Sequence, residues 1–237
     1  MKIESLTDFI RFVEDECDDD FVLFRGQPED LPLLPRIARL RLTGDLLKTE
    51  QEMFSAFKRE AVTFISQMPD NDWDWLSIAQ HHRLPTRLLD WTKNPLAPLW
   101  FAVEQPSRVK AREAVVWIFS PQQSGIIYDV TRESPFAGGR TRVFVPRHLT
   151  PRIRAQVAAF AIHKYVKKIG TFVPLERNRQ QKRFLRKLLI PPEQFSEMRY
   201  QLDRCGVNAS SLFPDIDGLS RYLDWYYSLL EDEKGDT

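Results

Sequence analysis

Apolar positions alternate with polar ones at helical spacing near the start of the chain. Positions 6, 9, 10 and 13 are apolar, which predicts an amphipathic helix over residues 6–16. The apolar run FVLF at 21–24 predicts a strand that ends before Arg25. Three prolines between residues 28 and 35 predict irregular structure after that strand.

Capping residues and prolines predict the other helices. The capping box TEQE, with Thr49 as N-cap and Glu52 three residues later, predicts a long helix after it. Asn71 is the predicted N-cap of the next helix, which Pro85 ends. Further helices are predicted after Asn94-Pro95, over PPEQFSEMRYQLDRCG with Gly206 at its end, and over FPDIDGLSRYLDWYYSLL.

Short apolar runs between these helices predict strands. They are LLDW at 88–91, AVVWIF at 114–119, SGIIYDV at 124–130 and RVFV at 142–145. By composition, VAAFAIH at 157–163 and RFLRKLLI at 183–190 fit either a strand or a helix. Strands mixed irregularly with helices predict an α+β fold, a compact domain with a small antiparallel-rich sheet flanked by several helices.

Length and composition indicate a globular protein with a substantial core. The chain has 237 residues, 43% hydrophobic and 28% charged, which excludes a disordered or collagen-like chain. No repeat or low-complexity linker divides it, so we expect one domain over 1–237. Its predicted parts include an acidic N-terminal helix in 1–20, a C-terminal helical part at 191–230 and a frayed tail at 231–237.

Several features favour a cytoplasmic location. No apolar stretch approaches the roughly 20 residues that a membrane helix needs, so we expect no membrane association. The acidic, amphipathic N-terminus does not resemble a secretory signal. Cys17 and Cys205 fit neither a disulfide framework nor a metal-site spacing.

The formal net charge of +1 hides a strong asymmetry. Residues 140–187 carry 14 basic side chains against Glu176 alone, whereas residues 1–20 and 188–237 carry a charge of −6 each. One interpretation is a solvated face that pairs with the acidic ends of the same chain. The other is an anion site for the phosphates of a nucleotide or a nucleic acid.

The motif FRGQ, residues 24–27, is the first candidate for chemistry. An arginine after an apolar strand can hold phosphate or carboxylate in a bidentate manner. Gly26 would let a ligand approach the backbone. The alternative is a structural pair between Arg25 and an internal carboxylate such as Asp90.

The segment AQHHRLPTRLLDWTKNP, residues 79–95, concentrates polar groups beside Trp91. They are Gln80, His81, His82, Arg83, Arg87, Asp90 and Thr92. Adjacent helical histidines point about 100° apart, so they do not chelate one metal, and we expect no metal. A histidine that orients a carboxylate or a ligand is favoured. The alternative is a buried network of Arg87, Asp90 and a histidine.

Two later motifs carry further polar groups. Gln156, in RIRAQVAAFAIH, can orient a substrate hydroxyl or a water, and the alternative is a backbone contact at a strand edge. Asp215 and Asp217, in LFPDIDG, fit the first turn of a helix better than a metal pair.

Four sequence blocks carry a family resemblance. FRGQ, WLSIAQHHRLPTRLLDWTKNPLAPLWFA, RIRAQVAAF and LFPDIDGLSRYL occur in this order between residues 24 and 223. They resemble the FRG-domain family, named for its Phe/Tyr-Arg-Gly motif, and the central block H-x-x-P-T-R-L-L-D-W-[ST]-x-x-P is the most specific. This chain has Pro98 where the family usually has alanine, and Ala158 where it usually has glycine.

A second resemblance, to ADP-ribosyltransferases, implies a related fold and NAD as a substrate. In those enzymes the arginine of an FRG-like strand holds the NAD phosphates or ribose. The block LLDWT is similar to their second motif, in which an aromatic or hydroxyl-bearing residue flanks the nicotinamide. Their third motif supplies a glutamate that stabilises an oxocarbenium-like transition state, and the corresponding block here has Gln156. The missing carboxylate would weaken this stabilisation or be replaced by another, such as Asp90 or Glu133.

The resemblance implies an enzyme that transfers ADP-ribose from NAD. The implied catalytic residues are Arg25, Gln156 and His82, with His82 orienting a ribose hydroxyl. The implied cofactor-binding residues are Arg25, Gly26, Gln27, Arg87, Asp90, Trp91 and Thr92. The acceptor would be a protein or a phosphate-rich polymer, RNA or DNA, held by residues 140–187.

Such an activity suits a bacterial toxin or an anti-phage effector with an antitoxin protein as partner. The alternative function is a non-catalytic module that binds nucleotides or nucleic acid, with a steep dependence on salt.

Overall fold

One sheet of seven strands, curled into a half-barrel, organises the fold. The computed structural model describes residues 1–65, 67–107, 112–147 and 151–233. Within these ranges the helices are α1 (Leu6–Glu16), α2 (Leu46–Glu60), α3 (Asp72–His81), α4 (Leu96–Val103), α5 (Pro151–Ala155), α6 (Phe195–Arg204), α7 (Ala209–Leu212) and α8 (Ile216–Tyr227). The strands are β1 (Leu23–Gln27), β2 (Leu88–Thr92), β3 (Ala114–Phe119), β4 (Ile126–Ile127), β5 (Arg142–Phe144), β6 (Ala158–Ile162), β7 (Tyr165–Val166), β8 (Thr171–Phe172) and β9 (Leu185–Ile190).

The seven strands have the order β4-β5-β6-β2-β1-β3-β9, and β7 and β8 form a separate hairpin. β4 and β5 are parallel, and every other pair is antiparallel. The predicted α+β class and antiparallel-rich sheet are therefore confirmed. The prediction that the sheet is small was wrong, because both ambiguous runs, at 157–163 and 183–190, supply strands that extend it.

Several locally specified elements match their predictions. Helix α1 has the predicted bounds, and the Asn71 side chain caps α3 by accepting from the Asp74 N–H at 3.0 Å. Gly206 follows α6 with a left-handed φ of 76°. Asp215 caps α8 by accepting from the Gly218 N–H at 2.7 Å.

Predicted boundaries differ from the structure at several elements, and two of these differences have a clear physical cause. Helix α2 begins before Thr49, because the Asp45 side chain accepts from the Lys48 N–H and so caps the helix one turn earlier. Strand β1 does not end before Arg25. It continues to Gln27 because its backbone pairs with β3 at every position from Leu23 to Gln27.

Two groups of helices cover one face of the sheet. Over β1, β3 and β9, helices α1, α4, α6 and α7 pack on a cluster that includes Phe24, Val116 and Leu188. Over β2, β5 and β6, helices α2 and α3 pack on a cluster that includes Leu88 and Phe160. The boundary between the two groups coincides with the contact between β1 and β2.

The opposite face of the sheet is covered by loop segments. Leu33 and Leu175, both fully buried, pack there against Trp117, Trp91 and their neighbours. The two loops are tied together because the Leu175 N–H donates to the Leu33 carbonyl at 3.2 Å. This face therefore has a closed apolar core of its own.

The C-terminal segment packs through a buried arginine. Arg199 of α6 pairs with Asp232 at 2.6 Å and Glu233 at 2.7 Å, within the segment predicted to be a frayed tail, and residues 234–237 of that segment lie outside the described residues. In the parts of the chain that the structure describes, no helix has the length and apolar character needed to cross a bilayer.

Candidate functional site

A cleft of about 410 Å³ opens where β1 and β2 separate. These two strands pair at a single position, Phe24 with Thr92, whereas β1 pairs with β3, and β2 with β6, over five positions each. The cleft is lined by residues from both faces of the sheet, since it enters this split. Its volume is within the range of small-molecule sites, roughly 300–1,000 Å³.

Arg25 of β1 spans the split. Its Nη1 donates to the backbone carbonyl of Asp90 at 2.8 Å and lies 3.9 Å from the Asp90 carboxylate. Its Nε is buried without a hydrogen-bond partner among the described residues. Burial lowers the pKa of Arg25, and the charge of Asp90 opposes this shift. The guanidinium therefore retains hydrogen-bonding capacity that an anionic ligand in the cleft can use.

More arginines surround the cleft. They are Arg36, Arg39, Arg83 and Arg152. No carboxylate of the described residues lies within 4 Å of these four guanidinium groups, although Arg36 donates to the Arg83 carbonyl at 2.7 Å. Because Asp90 and Glu104 are the carboxylates that line the cleft, its charge is positive.

Gly26 also lines the cleft, but a packing constraint requires it to be glycine. A Cβ at this position would lie 1.8 Å from the Pro98 carbonyl oxygen and 3.0 Å from the Ala102 backbone nitrogen. Helix α4 thus crosses β1 directly over Gly26. Since α4 fills this space, the glycine allows close approach of a helix rather than of a ligand.

Thr92, the last residue of β2, and Gln156, the residue after α5, are joined by a hydrogen bond. The Thr92 hydroxyl donates to the Gln156 carbonyl at 2.5 Å and accepts from the Asn94 N–H at 2.9 Å. The Gln156 side-chain amide donates to the Leu212 carbonyl at 3.1 Å. Both residues line the cleft, and both have structural hydrogen bonds that fix their positions.

The backbone around the cleft contains unusual conformations. In the described residues, the non-glycine residues with positive φ are Arg83, at 65°, and Val157, at 44°. Arg83 lines the cleft, and Val157 follows Gln156 directly. A positive φ is especially unfavourable for a β-branched residue, and such strain concentrates at functional sites.

Arg87 does not line the cleft. It is 1% exposed and is held by Glu50, whose carboxylate accepts from Arg87 Nε at 3.0 Å and Nη2 at 2.5 Å. Its Nη1 donates to the Pro135 carbonyl at 3.0 Å, and the guanidinium stacks 4.5 Å from the Phe136 ring centroid. In the described structure its carboxylate partner is thus Glu50, not Asp90 as the structural alternative predicted.

Gln27 and Trp91 have buried positions. The Gln27 Oε1 accepts from Trp117 Nε1 at 3.1 Å, and the residue does not line the cleft. Trp91 lines the cleft but is 3% exposed, and its indole packs 5.4 Å from the Phe119 centroid. Trp91 therefore forms part of the floor of the cleft.

His81, rather than the predicted His82, lines the cleft. His82 is exposed and borders a separate apolar groove with Phe64. Burial lowers the pKa of His81 to about 4, with further lowering by the charges of His82 and Arg152 against the opposing charge of Asp215. The imidazole in the cleft is therefore neutral at pH 7.

The carboxylates differ in position and pairing. The Asp90 carboxylate lines the cleft and accepts two bonds of 3.0 Å from Gln80 Nε2. Glu133 pairs with Arg142 at 2.7 Å and does not line the cleft. Glu104, which the sequence analysis missed, lines the cleft directly after α4, three residues beyond Phe101 and six beyond Pro98. That helical spacing is the signal that identifies it.

The basic segment 140–187 is distributed around the molecule. Its residues 148–150 lie outside the described residues. Its cations pair with acids from several regions: Arg142 with Glu133, Arg147 with Asp70 and Asp74, Arg186 with Glu16, and Lys187 with Asp30. The acidic N-terminal part supplies one of these acids, Glu16, while Arg152 lines the cleft.

No group of three or more histidine, cysteine, aspartate or glutamate side chains is arranged to hold a metal ion within the described ranges.

Comparison with known protein families gives a match for the part of the chain that supplies most of the residues lining this cleft. Residues 20–111 match the family model of the FRG domain. This match supports the FRG resemblance for fewer than half of the 237 residues. No curated protein and no solved structure matches the chain.

The FRG match contains Arg25, Asp90, Thr92 and Glu104 but not Gln156. It includes β1 and β2, which pair with β3 and β6 outside it. The sheet around the cleft therefore needs both the FRG-matched residues and the remainder of the chain.

Proposed function

We propose that this protein transfers ADP-ribose from NAD, with NAD bound in the cleft between β1 and β2. Support comes first from the positions of three residues that the resemblance to ADP-ribosyltransferases assigns to separate motifs. Arg25, Thr92 and Gln156 all line one cleft. The three residues are far apart in sequence, and the split in the sheet brings them together.

The arginines suit the pyrophosphate of a dinucleotide. Arg25 is half-buried, has an unpartnered Nε among the described residues and lies 3.9 Å from the Asp90 carboxylate. Arg36, Arg39 and Arg83 add positive charge without a carboxylate within 4 Å in the described structure. Arginine forms short, directional bonds to phosphate oxygens, so this group can orient the donor as well as attract it.

The remainder of the cleft suits the nicotinamide ribose. Apolar surfaces of Pro98, Phe101 and Phe160 line it beside the Gln156 amide. A pocket that combines apolar walls with a few fixed polar groups is typical of cofactor sites. We assign Gln156 to positioning the ribose or the acceptor, because its own position is fixed by the bond to Leu212.

In the proposed reaction the bond between ribose C1 and the nicotinamide nitrogen breaks, and its electron pair stays on the nitrogen, releasing neutral nicotinamide. A nucleophilic oxygen or nitrogen of the acceptor forms the new bond to C1 and loses its proton to solvent. Positive charge develops on the ribose during this step, and fixed polar groups in the cleft stabilise it.

One observation favours the alternative of nucleotide binding without catalysis. The residue at the expected glutamate position is Gln156, which has no charge and already donates its amide to Leu212. A cleft with intact phosphate ligands and no carboxylate at that position would bind NAD or a related nucleotide without product formation.

The deciding experiment measures nicotinamide release from NAD by the purified protein, alone and with RNA, DNA or cell lysate. Arg25→Met is compared with Arg204→Met, a control at an exposed position in the last turn of α6. Release by the wild type and the control but not by Arg25→Met supports the transferase. Calorimetric NAD binding without release supports the alternative, and neither binding nor release rejects both.

A toxin or anti-phage role follows from this proposal and needs its own test. Expression in bacteria should slow growth, and Arg25→Met should relieve the effect while Arg204→Met should not. Equal toxicity of the two variants would reject a role that depends on the cleft.

A further inference from the structure

The proposed reaction needs a negative charge near the ribose that Gln156 does not provide. The Gln156 amide is neutral, and its Nε2 is bonded to the Leu212 carbonyl. A developing oxocarbenium is stabilised best by a carboxylate in a site from which water is largely excluded. The candidates are the carboxylates that reach the cleft.

The two alternative carboxylates that the sequence analysis named, Glu133 and Asp90, are poorly suited to stabilising a positive charge on the ribose. Glu133 pairs with Arg142 at 2.7 Å and does not line the cleft. The Asp90 side chain is 59% exposed, and its carboxylate lies 3.9 Å from the positive charge of Arg25. Both of its oxygens also accept hydrogen bonds from Gln80. Asp90 therefore acts mainly to hold the arginine side of the cleft.

Glu104 and Gln156 both line the cleft, and a chain of contacts connects them. Glu104 shares one face of α4 with Phe101, whose ring lies 6.0 Å from that of Phe213. Phe213 follows Leu212, the residue whose carbonyl holds the Gln156 amide. Phe101, Phe213 and Leu212 therefore link Glu104 to Gln156 along the wall of the cleft.

Among the described residues, no cation forms an ion pair with the Glu104 carboxylate. The charge that acts on it is that of Arg221, which favours the anionic form and whose guanidinium lies 4.1 Å from the Phe213 ring centroid. Glu104 also follows the C-terminal end of α4, where the helix dipole disfavours a negative charge. A carboxylate in this setting that has no ion pair within the described part of the chain is available to a positively charged ligand.

Glu104 also borders a second cavity of about 290 Å³. That cavity contains Trp225, Tyr222 and Asp224 of the C-terminal helix. Glu104 therefore lines both the proposed donor cleft and an adjacent cavity, which is a candidate site for the acceptor.

We propose that Glu104 is the catalytic carboxylate of this cleft, in place of the glutamate expected at position 156. The inference rests on the proposed transferase function. Its anionic carboxylate stabilises the positive charge on the ribose as the C1–nitrogen bond breaks and the electron pair leaves with nicotinamide. The attacking acceptor then neutralises C1 and releases its proton to solvent.

Protonation of Glu104 should abolish this stabilisation. Burial raises the pKa of Glu104 above its ordinary value, and the charge of Arg221 opposes the rise. The other charged or titratable groups that line the second cavity are Arg199, Asp203, Tyr222 and Asp224, and His81 and Arg152 line the cleft. Nicotinamide release should therefore decrease as pH falls through a higher range than for an ordinary glutamate.

The test compares wild type, Glu104→Gln and Glu193→Gln, the last a control at an exposed position outside both cavities. Nicotinamide release is measured from pH 4.5 to 8, together with NAD binding by calorimetry and thermal melting. We expect Glu104→Gln to lower kcat about 100-fold or more, with NAD affinity and melting temperature nearly unchanged. Its remaining activity should lack the acid limb of the wild-type pH profile.

The outcomes separate the two proposals. Wild-type release that persists unchanged in Glu104→Gln overturns the role of Glu104 and leaves the transferase proposal intact. A matching loss in Glu193→Gln, or a loss of NAD binding equal to the loss of kcat, also overturns it. Absence of release by the wild type under every condition rejects both proposals.

Discussion

Arg25 lies in β1, and Arg87 directly precedes the neighbouring strand β2, yet the two arginines have very different interactions. Arg87 is fully buried, and its guanidinium bonds to the Glu50 carboxylate and the Pro135 carbonyl. Arg25 makes one close bond, to the Asp90 carbonyl, and its Nε has no partner in the described structure. A buried arginine with satisfied donors stabilises the fold, whereas one with unsatisfied donors is available for a ligand.

The largest expected effect is the loss of stability when Arg87 is replaced by methionine. Arg87→Met leaves the buried Glu50 carboxylate unpaired, so the free energy of unfolding should fall by about 3–5 kcal/mol. Urea denaturation at constant pH measures this loss. The control is Arg112→Met, which removes an exposed pair with Glu29 and should cost about 0–1 kcal/mol. Similar losses for the two variants would show that the Arg87 pair contributes little.

The second largest effect concerns His163, which is fully buried and electrostatically coupled to Arg25. Burial, with a smaller contribution from the charge of Arg25, lowers its pKa from 6.5 to about 4. The unfolded state therefore binds a proton between pH 6.5 and about 4 that the native state does not. Stability should fall by about 3 kcal/mol over this window as pH decreases, at roughly 1.4 kcal/mol per pKa unit.

His163→Asn keeps a donor for the Val173 carbonyl, which lies 3.0 Å from His163 Nδ1, and removes the titrating group. Urea denaturation at pH 7 and at pH 4.5 should show a smaller acid loss for this variant than for the wild type. His82→Asn, at an exposed position, should retain the wild-type acid loss. The same acid loss in all three proteins would contradict the assignment to His163.

Arg25→Met should change stability by less than about 1 kcal/mol, since it removes one close hydrogen bond together with a partly desolvated charge. Urea denaturation provides the comparison with Arg87→Met directly. A loss of several kcal/mol would instead identify Arg25 and Asp90 as a structural pair. The two arginines would then have similar roles, and the cleft would lose its main phosphate ligand.

Sequence reasoning predicts the parts of this molecule that short-range interactions specify. The bounds of α1, the Asn71 cap and the position of Gly206 all depend on residues within a few positions of each other. Boundaries were missed where another cap or another strand competed. Asp45 caps α2 before Thr49 can, and the pairing with β3 extends β1 through Arg25.

The candidate site was predicted less completely because it depends on distant contacts. Glu50 meets Arg87 across 37 positions, and Gln156 meets Leu212 across 56. Neither partner has a local signal in the sequence. The split between β1 and β2 is a property of the whole sheet, so residue types identified Arg25 and Gln156, but only the fold revealed that His81 lines the same cleft. Helical spacing places Glu104 on the face of α4 that holds Pro98 and Phe101, and only the fold revealed that this face lines the cleft.

The smallest effect should appear at Val157, whose φ of 44° strains the backbone next to Gln156. Val157→Gly relieves a cost of roughly 1–2 kcal/mol but adds unfolded-state entropy worth about 0.5–1 kcal/mol. The net result should be unchanged stability or a gain of up to about 1.5 kcal/mol, measured as the urea midpoint at constant m-value.

Val145→Gly is a matched control, since Val145 is 37% exposed and Val157 39%, and Val145 does not have a positive φ. The control should lose about 0.5–1 kcal/mol because glycine brings only its entropic cost there. Equal losses at both positions would mean that Val157 is not strained. If Val157→Gly gains stability while nicotinamide release falls, the strained backbone holds Gln156 in the position that the reaction needs. Val157 would then resemble Arg25, since both would reduce the stability of the fold in favour of the site.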